Sequence, residues 1–171
     1  MSPAKDWTEE DWLKVEFSNE STFQQFRACS EIVRRPLGER FNPSFTKKTV
    51  KHPPSVMVWG SFDGSVGRGR LFFLSKGVSM NSSRYLEVLQ DNLIPIFRVR
   101  RLSWFLQDSS PCHASKSTRA FLTNENIPVR PWPGNSPDLN PIENLREQMK
   151  KKVAEKEPSS LADLKNKILE V

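Results

Sequence analysis

The sequence predicts an α/β domain, a mixed β-sheet with helices on both faces. Three patterns predict it. Strand-like apolar runs dominate residues 14–74; a helical period takes over from Asn81; and helical stretches then alternate with short apolar runs to the end of the chain. Antiparallel strands followed by helix–strand alternation give a mixed sheet covered by helices. With 171 residues the chain is expected to be one domain, 1–171, large enough for its own core.

The elements follow in order. In "DWTEEDWLK", Thr8 is the N-cap of a short helix, with Asp11 three residues on and acidic residues in the first turn. "KVEFS" reads as the first strand, and "STFQQF" and "CSEIVRRP" as two more, before a long basic loop over 36–54. "SVMVWGSF" and "GRGRLFFLSKG" are the next strands, joined by a turn at Asp63-Gly64. "NSSRYLEVLQDNLIPIF" is helical, with Tyr85, Leu86, Leu89, Leu93 and Ile94 on the helical period. "LSWFLQ" is a strand, "ASKSTRAFLTNEN" a helix, "IPVRPW" a short strand, "NPIENLREQMKKKVAEK" a longer helix, and "SSLADLKNKILEV" a last one. Trp59, Trp104 and Trp132 fall in strand-like segments and are expected in the core.

Composition narrows the partners. Lys and Arg number 26 against 20 Asp and Glu, a formal charge of +6, which suits a polyanion or simply a basic surface. Cys29 and Cys112 lack any Cys-x-x-Cys spacing, so neither a disulfide framework nor a zinc site is indicated. The apolar runs "VMVW", "LFFL" and "LIPIF" are far shorter than a membrane span, so a soluble intracellular protein without a membrane partner is expected.

"VEFSNESTFQ" raises a question of chemistry. In a strand, Val15, Phe17 and Asn19 share one face and Glu16, Ser18 and Glu20 the other, so the amide of Asn19 lies on an apolar face and needs a partner. A turn at the end of the strand is one explanation. Asp108 directly follows an apolar strand, either as a functional carboxylate or as a cap for the helix near Ala114. Glu143 is the third helical residue after Asn140 and Pro141, which makes a capping box the ordinary reading.

"WFLQDSSPCHASKSTRAFL" followed by "WPGNSPDLNPIENL" resembles the catalytic domain of Tc/mariner-type DNA transposases. "KDWTEEDWLKVEFSNESTFQQF" and "HPPSVMVWGSF" resemble earlier blocks of that family in the same order. The 34 residues between Asp108 and Glu143 match the spacing of one large branch. The resemblance implies an RNase H-like fold and an Asp, Asp, Glu triad that binds two Mg2+ (or Mn2+) ions and cuts and joins DNA. Hard cations take carboxylate oxygens, and a pair roughly 3.5–4 Å apart activates the attacking oxygen and stabilises the leaving one.

The triad positions fall on Asn19, Asp108 and Glu143, with the metal expected on Asp108 and Glu143. The family's first Asp is Asn here, an amide without charge, so cofactor binding and catalysis are expected to be weakened or lost. Glu20 is adjacent but alternates to the other face. Ser109, Arg146 and Glu16 are further departures, at positions where relatives usually carry Asn, Trp and an apolar residue. No N-terminal helix-turn-helix region is expected in the chain. The function implied is DNA transposition in the nucleus, or alternatively a non-catalytic DNA-binding or protein-interaction module. DNA backbone contacts are expected from Lys47, Lys48, Lys51, His113, Lys116, Lys150 and Lys151, with Arg34-Arg35, Arg98-Arg100-Arg101 and Lys152 as further basic clusters. A homodimer is left open.

Overall fold

The computed structural model describes residues 7–25, 34–39, 42–45, 53–75, 77–130 and 140–171. Helix α1 (Glu9–Leu13) leads into strand β1 (Val15–Gln24), followed by β2 (Ser55–Asp63) and β3 (Gly67–Phe73). A helical segment then runs as α2 (Ser82–Val88), a π turn (Leu89–Leu93) and α3 (Ile94–Val99). Strand β4 (Trp104–Leu106) and helices α4 (Lys116–Asn124), α5 (Pro141–Glu155) and α6 (Leu161–Glu170) complete the order. The sheet has the order β3-β2-β1-β4. β1 is antiparallel to β2 from Glu16↔Asp63 to Gln24↔Ser55 and parallel to β4 from Val15↔Trp104 to Phe17↔Leu106. The sheet is therefore mixed.

Directly opposed residues share a face, which sorts the core into two sides. Phe23, Val56 and Val58 pack with Val153 of α5 and with Leu164 and Ile168 of α6. Val15, Phe17 and Leu106 pack with Ile142 at the start of α5. Opposite them, Trp59 and Phe105 join Tyr85, Leu89, Leu93, Phe97 and Leu122 from α2, the π turn, α3 and α4. Helices thus cover both faces. On α5, Ile142, Met149 and Val153 fall at spacings of seven and four, one apolar stripe that fixes the rotation of the helix on the sheet. Each fully buried side chain of this kind contributes roughly 1.5–3 kcal/mol.

Several elements differ from the sequence expectation. β1 does not stop at Ser18: "STFQ" continues the same strand, because β2 supplies a partner for every residue to Gln24. Asn19 therefore lies inside a strand, opposite Gly60, and is not a turn residue. For "CSEIVRRP", Arg34, Arg35 and Pro36 have no regular structure, and the rest of the segment lies outside the described residues. Among the described residues of the 36–54 loop there is one 3-10 turn, Pro43–Phe45. Pro95 has no N–H and its ring crowds the carbonyl four residues back; the helix widens to a π turn just before it, and the Asp91 carbonyl takes Arg70 Nη1 at 3.4 Å. Among the described residues of the strand expected at "IPVRPW" there is a single parallel bridge, Phe105↔Val129, because Pro128 has no N–H to extend the ladder; Pro131 and Trp132 lie outside them. Trp59 is fully buried and Trp104 half-buried; Trp132 lies outside the described residues. Among the described residues, no helix is long and apolar enough to cross a membrane.

Candidate active site

β1 brings two adjacent side chains to opposite faces of the sheet, and a different cluster forms around each. On the α5 side is Asn19. Its Nδ2 donates to Glu143 Oε1, while the other carboxylate oxygen of Glu143 takes the guanidinium of Arg146, one turn along α5. Both oxygens of Glu143 are thus engaged by donors. The helix start explains why Glu143 points inward: Asn140 caps α5 through Ile142 N at 3.4 Å, and buried Ile142 anchors the first turn. The capping box is not formed, because the Glu143 side chain turns to Asn19 instead of back to the cap.

On the other face is Glu20. Its Oε1 lies 3.1 Å from His113 Nε2, and His113 Nδ1 lies 2.6 Å from Asp108 Oδ1. His113 is 2% exposed and packs on Tyr85, with ring centroids 4.1 Å apart. Tyr85 in turn donates its hydroxyl to Gln107 Oε1 at 2.5 Å, so the ring that supports His113 is itself fixed. Asp108 does not cap α4, whose N-cap is Ser115; it accepts from Ser110 N at 2.9 Å in a local turn. The β1–β4 register ends with Phe17 beside Leu106, two residues before Asn19 on β1 and two before Asp108 in the loop after β4. One ligand atom each from Glu20, Asp108 and His113 lies within 4.8 Å of the others.

The electrostatics follow from these contacts. Burial works against a charge on His113, but the bonds to Asp108 and Glu20 and the charges of both carboxylates outweigh it and carry the imidazole up to about 10. The bond from His113 holds Asp108 down to about 2, against burial and with help from the Ser110 N–H. His113 is cationic at neutral pH, clamped between two carboxylates.

The expected DNA contacts are scattered. Lys116 starts α4 and is exposed; Lys150 is half-buried and 3.5 Å from Glu147; Lys151 and Lys152 are exposed on α5. His113 is buried with both ring nitrogens taken, a positioning residue and not a surface contact. Lys47, Lys48 and Lys51 lie outside the described residues. Arg98 pairs with Glu125 and Arg100 with Asp63, while Arg101 is exposed. The sequence reading did not foresee the bond from Glu20 to His113 or the pairing of Arg146 with Glu143. The second had a signal, a Glu and an Arg three apart on one helix.

Comparisons with known proteins agree with this architecture. Residues 14–165 match the family described as DDE superfamily endonuclease. The transposable element Tcb2 transposase of Caenorhabditis briggsae is 38% identical over 152 residues, which cover 86% of this chain and 54% of that protein. The chain thus spans about half the length of the curated relatives it matches. Among solved structures, the Mos1 transposase paired-end complex with the left transposon end superposes with a TM-score of 0.78 at 23% identity, over 93% of this chain and 47% of that one. The Mos1 mariner paired-end complex with Mg superposes at 0.76 and 22% identity, over 91% of this chain and 47% of that one.

Proposed function

Because the chain belongs to the DDE superfamily endonucleases, as a Tc/mariner-type transposase catalytic domain with the RNase H-like fold, we propose that it engages DNA as a strand-cleaving and joining domain whose chemistry is impaired at Asn19. The observation behind this is the bond from Asn19 to Glu143. Where a carboxylate would repel Glu143 until cations entered between them, the amide donates to it and brings no charge.

The donor set fits a pair of divalent ions poorly. Two ions roughly 3.5–4 Å apart require bridging carboxylate oxygens. Here Glu143 has one oxygen on Asn19 and the other on Arg146, and Asp108 Oδ1 lies 2.6 Å from His113 Nδ1. These oxygens are thus already held by cationic or amide donors, and no step of the reaction is assigned to metal in this chain. What persists is DNA engagement through phosphates, led by the net charge of +6 and the exposed lysines of α5. The proposed partners are duplex DNA and a second copy of the chain, in the nucleus.

A second reading has one observation behind it. Glu20 presents a carboxylate beside Asp108, and on this reading it takes over from position 19 and sustains weak cleavage. Cleavage of duplex DNA with Mg2+ or Mn2+ separates the two. The expected result is no difference between the wild-type chain and Asp108→Ala, together with DNA affinity that drops steeply between 50 and 200 mM salt, on the order of 10³-fold if about six phosphates are contacted. Metal-dependent cleavage abolished by Asp108→Ala overturns the impaired reading, and its further loss in Glu20→Gln favours the second. Affinity that is flat with salt removes DNA as the partner.

A further inference from the structure

We propose that Arg146 is the resident cation of this site: its guanidinium, seated on Glu143, stands where a divalent ion would otherwise balance the carboxylate, so that restoring Asp at position 19 does not by itself restore metal binding. The inference rests on the proposed function and names a residue that the loss at position 19 leaves out of account.

Three observations carry it. The first is occupancy: Glu143 has two carboxylate oxygens, one taken by Asn19 Nδ2 and the other by Arg146 Nη2, so the group is paired before any ion arrives. The second is setting. The two side chains are only 25% and 27% exposed, and Arg146 borders a cavity of about 400 Å³ where Phe23, Val58 and Met149 meet Asn19, Ser61 and Arg68. At this exposure the two charges are screened less by water than a fully exposed pair, and removing one of them leaves the other partly buried without a partner. The third is commitment. Arg146 Nη2 holds Glu143, while its buried Nε makes no hydrogen bond and has the Glu147 carboxylate 3.7 Å away, so the guanidinium is fixed by carboxylates on two sides. An arginine cannot be deprotonated to make room, since its charge persists at every accessible pH. A cation arriving at Glu143 meets a fixed positive charge.

The test measures metal binding without any DNA. Thermal unfolding and calorimetric titration with Mn2+ are run on the wild-type chain, Asn19→Asp, Asn19→Asp with Arg146→Gln, and Asn19→Asp with Arg146→Lys. Ligand that binds only the folded state raises stability as RT ln(1 + [L]/Kd), so the apparent Kd is read directly. The Gln double variant is expected to bind Mn2+ at least tenfold more tightly than Asn19→Asp or the Lys double variant. Without metal its Tm is expected to lie below that of Asn19→Asp, because two carboxylates then face each other without a cation; saturating Mn2+ reverses the order. Equal Mn2+ affinity in Asn19→Asp and the Gln double variant overturns the role of Arg146 and leaves the Asn19 reading standing. Wild-type affinity equal to that of the Gln double variant overturns both. Should the double variant not fold, Asn19→Asp with Arg146→Met decides by the same comparison: tighter Mn2+ binding than Asn19→Asp supports the inference, and equal binding overturns it.

Discussion

Glu16 offers the sharpest test of how this fold carries charge. It is 0% exposed in the central strand, opposite Asp63, and neither carboxylate oxygen makes a well-formed hydrogen bond. The groups around it are the Ser61 hydroxyl, the Asp63 carboxylate and the Arg100 guanidinium that pairs with Asp63. Burial pushes Glu16 up to about 7 from an ordinary 4.5; Ser61 and Arg100 work against the rise and Asp63 adds to it. The folded pKa is raised, so the folded state holds the proton more tightly than the unfolded chain. The stability this group contributes is full below about 4.5 and is lost as pH rises through about 7. At 1.36 kcal/mol per unit the loss is about 3 kcal/mol, a large part of the 5–15 kcal/mol typical of a domain. Glu16→Gln has nearly the same shape and cannot ionise. Urea unfolding of the two proteins from pH 4.5 to 8.5 should show a stability difference near its minimum at the acidic end. That difference should grow in favour of Gln by about 3 kcal/mol, or about 6–12 °C in Tm, across the neutral range. Taking the difference cancels His113 and every other titrating group the two proteins share. An offset that stays constant with pH refutes the reasoning, since it means that Glu16 is solvated or paired in the folded protein.

Other expectations follow from the same contacts. The His113 imidazole should stay protonated in nitrogen-15 NMR titrations up to pH 8.5, and a midpoint below 8 rules out the two-carboxylate clamp. Its raised pKa makes its contribution to stability full below about 6.5 and lost as pH climbs through about 10, opposing any gain from other groups in alkali. Gly69→Ala should destabilise by roughly 1–3 kcal/mol in urea unfolding, because a Cβ there meets Ser61 Oγ at 2.3 Å and the Ser61 carbonyl at 2.8 Å. A neutral result means that the β2–β3 pair spreads freely at that point. Replacing Lys150 and Lys151 together by Gln should lower the slope of log affinity for DNA against log salt by about 1–2, and an unchanged slope takes α5 off the DNA surface.

The sheet with its two helical layers was legible because most of its residues obey their period. α1 was readable from Thr8 and Asp11, which form the full capping box. The misreadings have local causes. β1 looked broken at Asn19 because residues 18–22 are polar, yet a strand persists wherever a neighbour pairs it, and β2 lies 36 or more residues further along the chain. The period of the helix over 82–99 was visible, but its widening before Pro95 turned on one missing donor. In the site, alternation sent Asn19 and Glu20 to opposite faces, as the structure has them, but no local pattern announces a bond between Glu20 and a histidine 93 residues away. The aromatic support from Tyr85 is equally non-local.

On the proposed reading, that alternation bears on whether one substitution restores the site. A carboxylate moved one residue along a strand crosses the sheet: Glu20 gives the site a charge, but on the face of His113 and Tyr85, while Glu143 approaches from α5 on the face of Asn19. Glu20 and Asn19 are thus neighbours in sequence and belong to different clusters in space. A carboxylate at position 19 puts charge against Glu143, and on the proposed reading it arrives beside a guanidinium already paired with that residue. The amide and the arginine form one arrangement: Asn19 removes a repulsion that a cation would have to relieve, and Arg146 supplies the positive charge that Glu143 still requires. Each change makes the other easier to hold, so reverting either one alone should cost stability in the absence of metal, and the two together should cost less than the sum once metal is present.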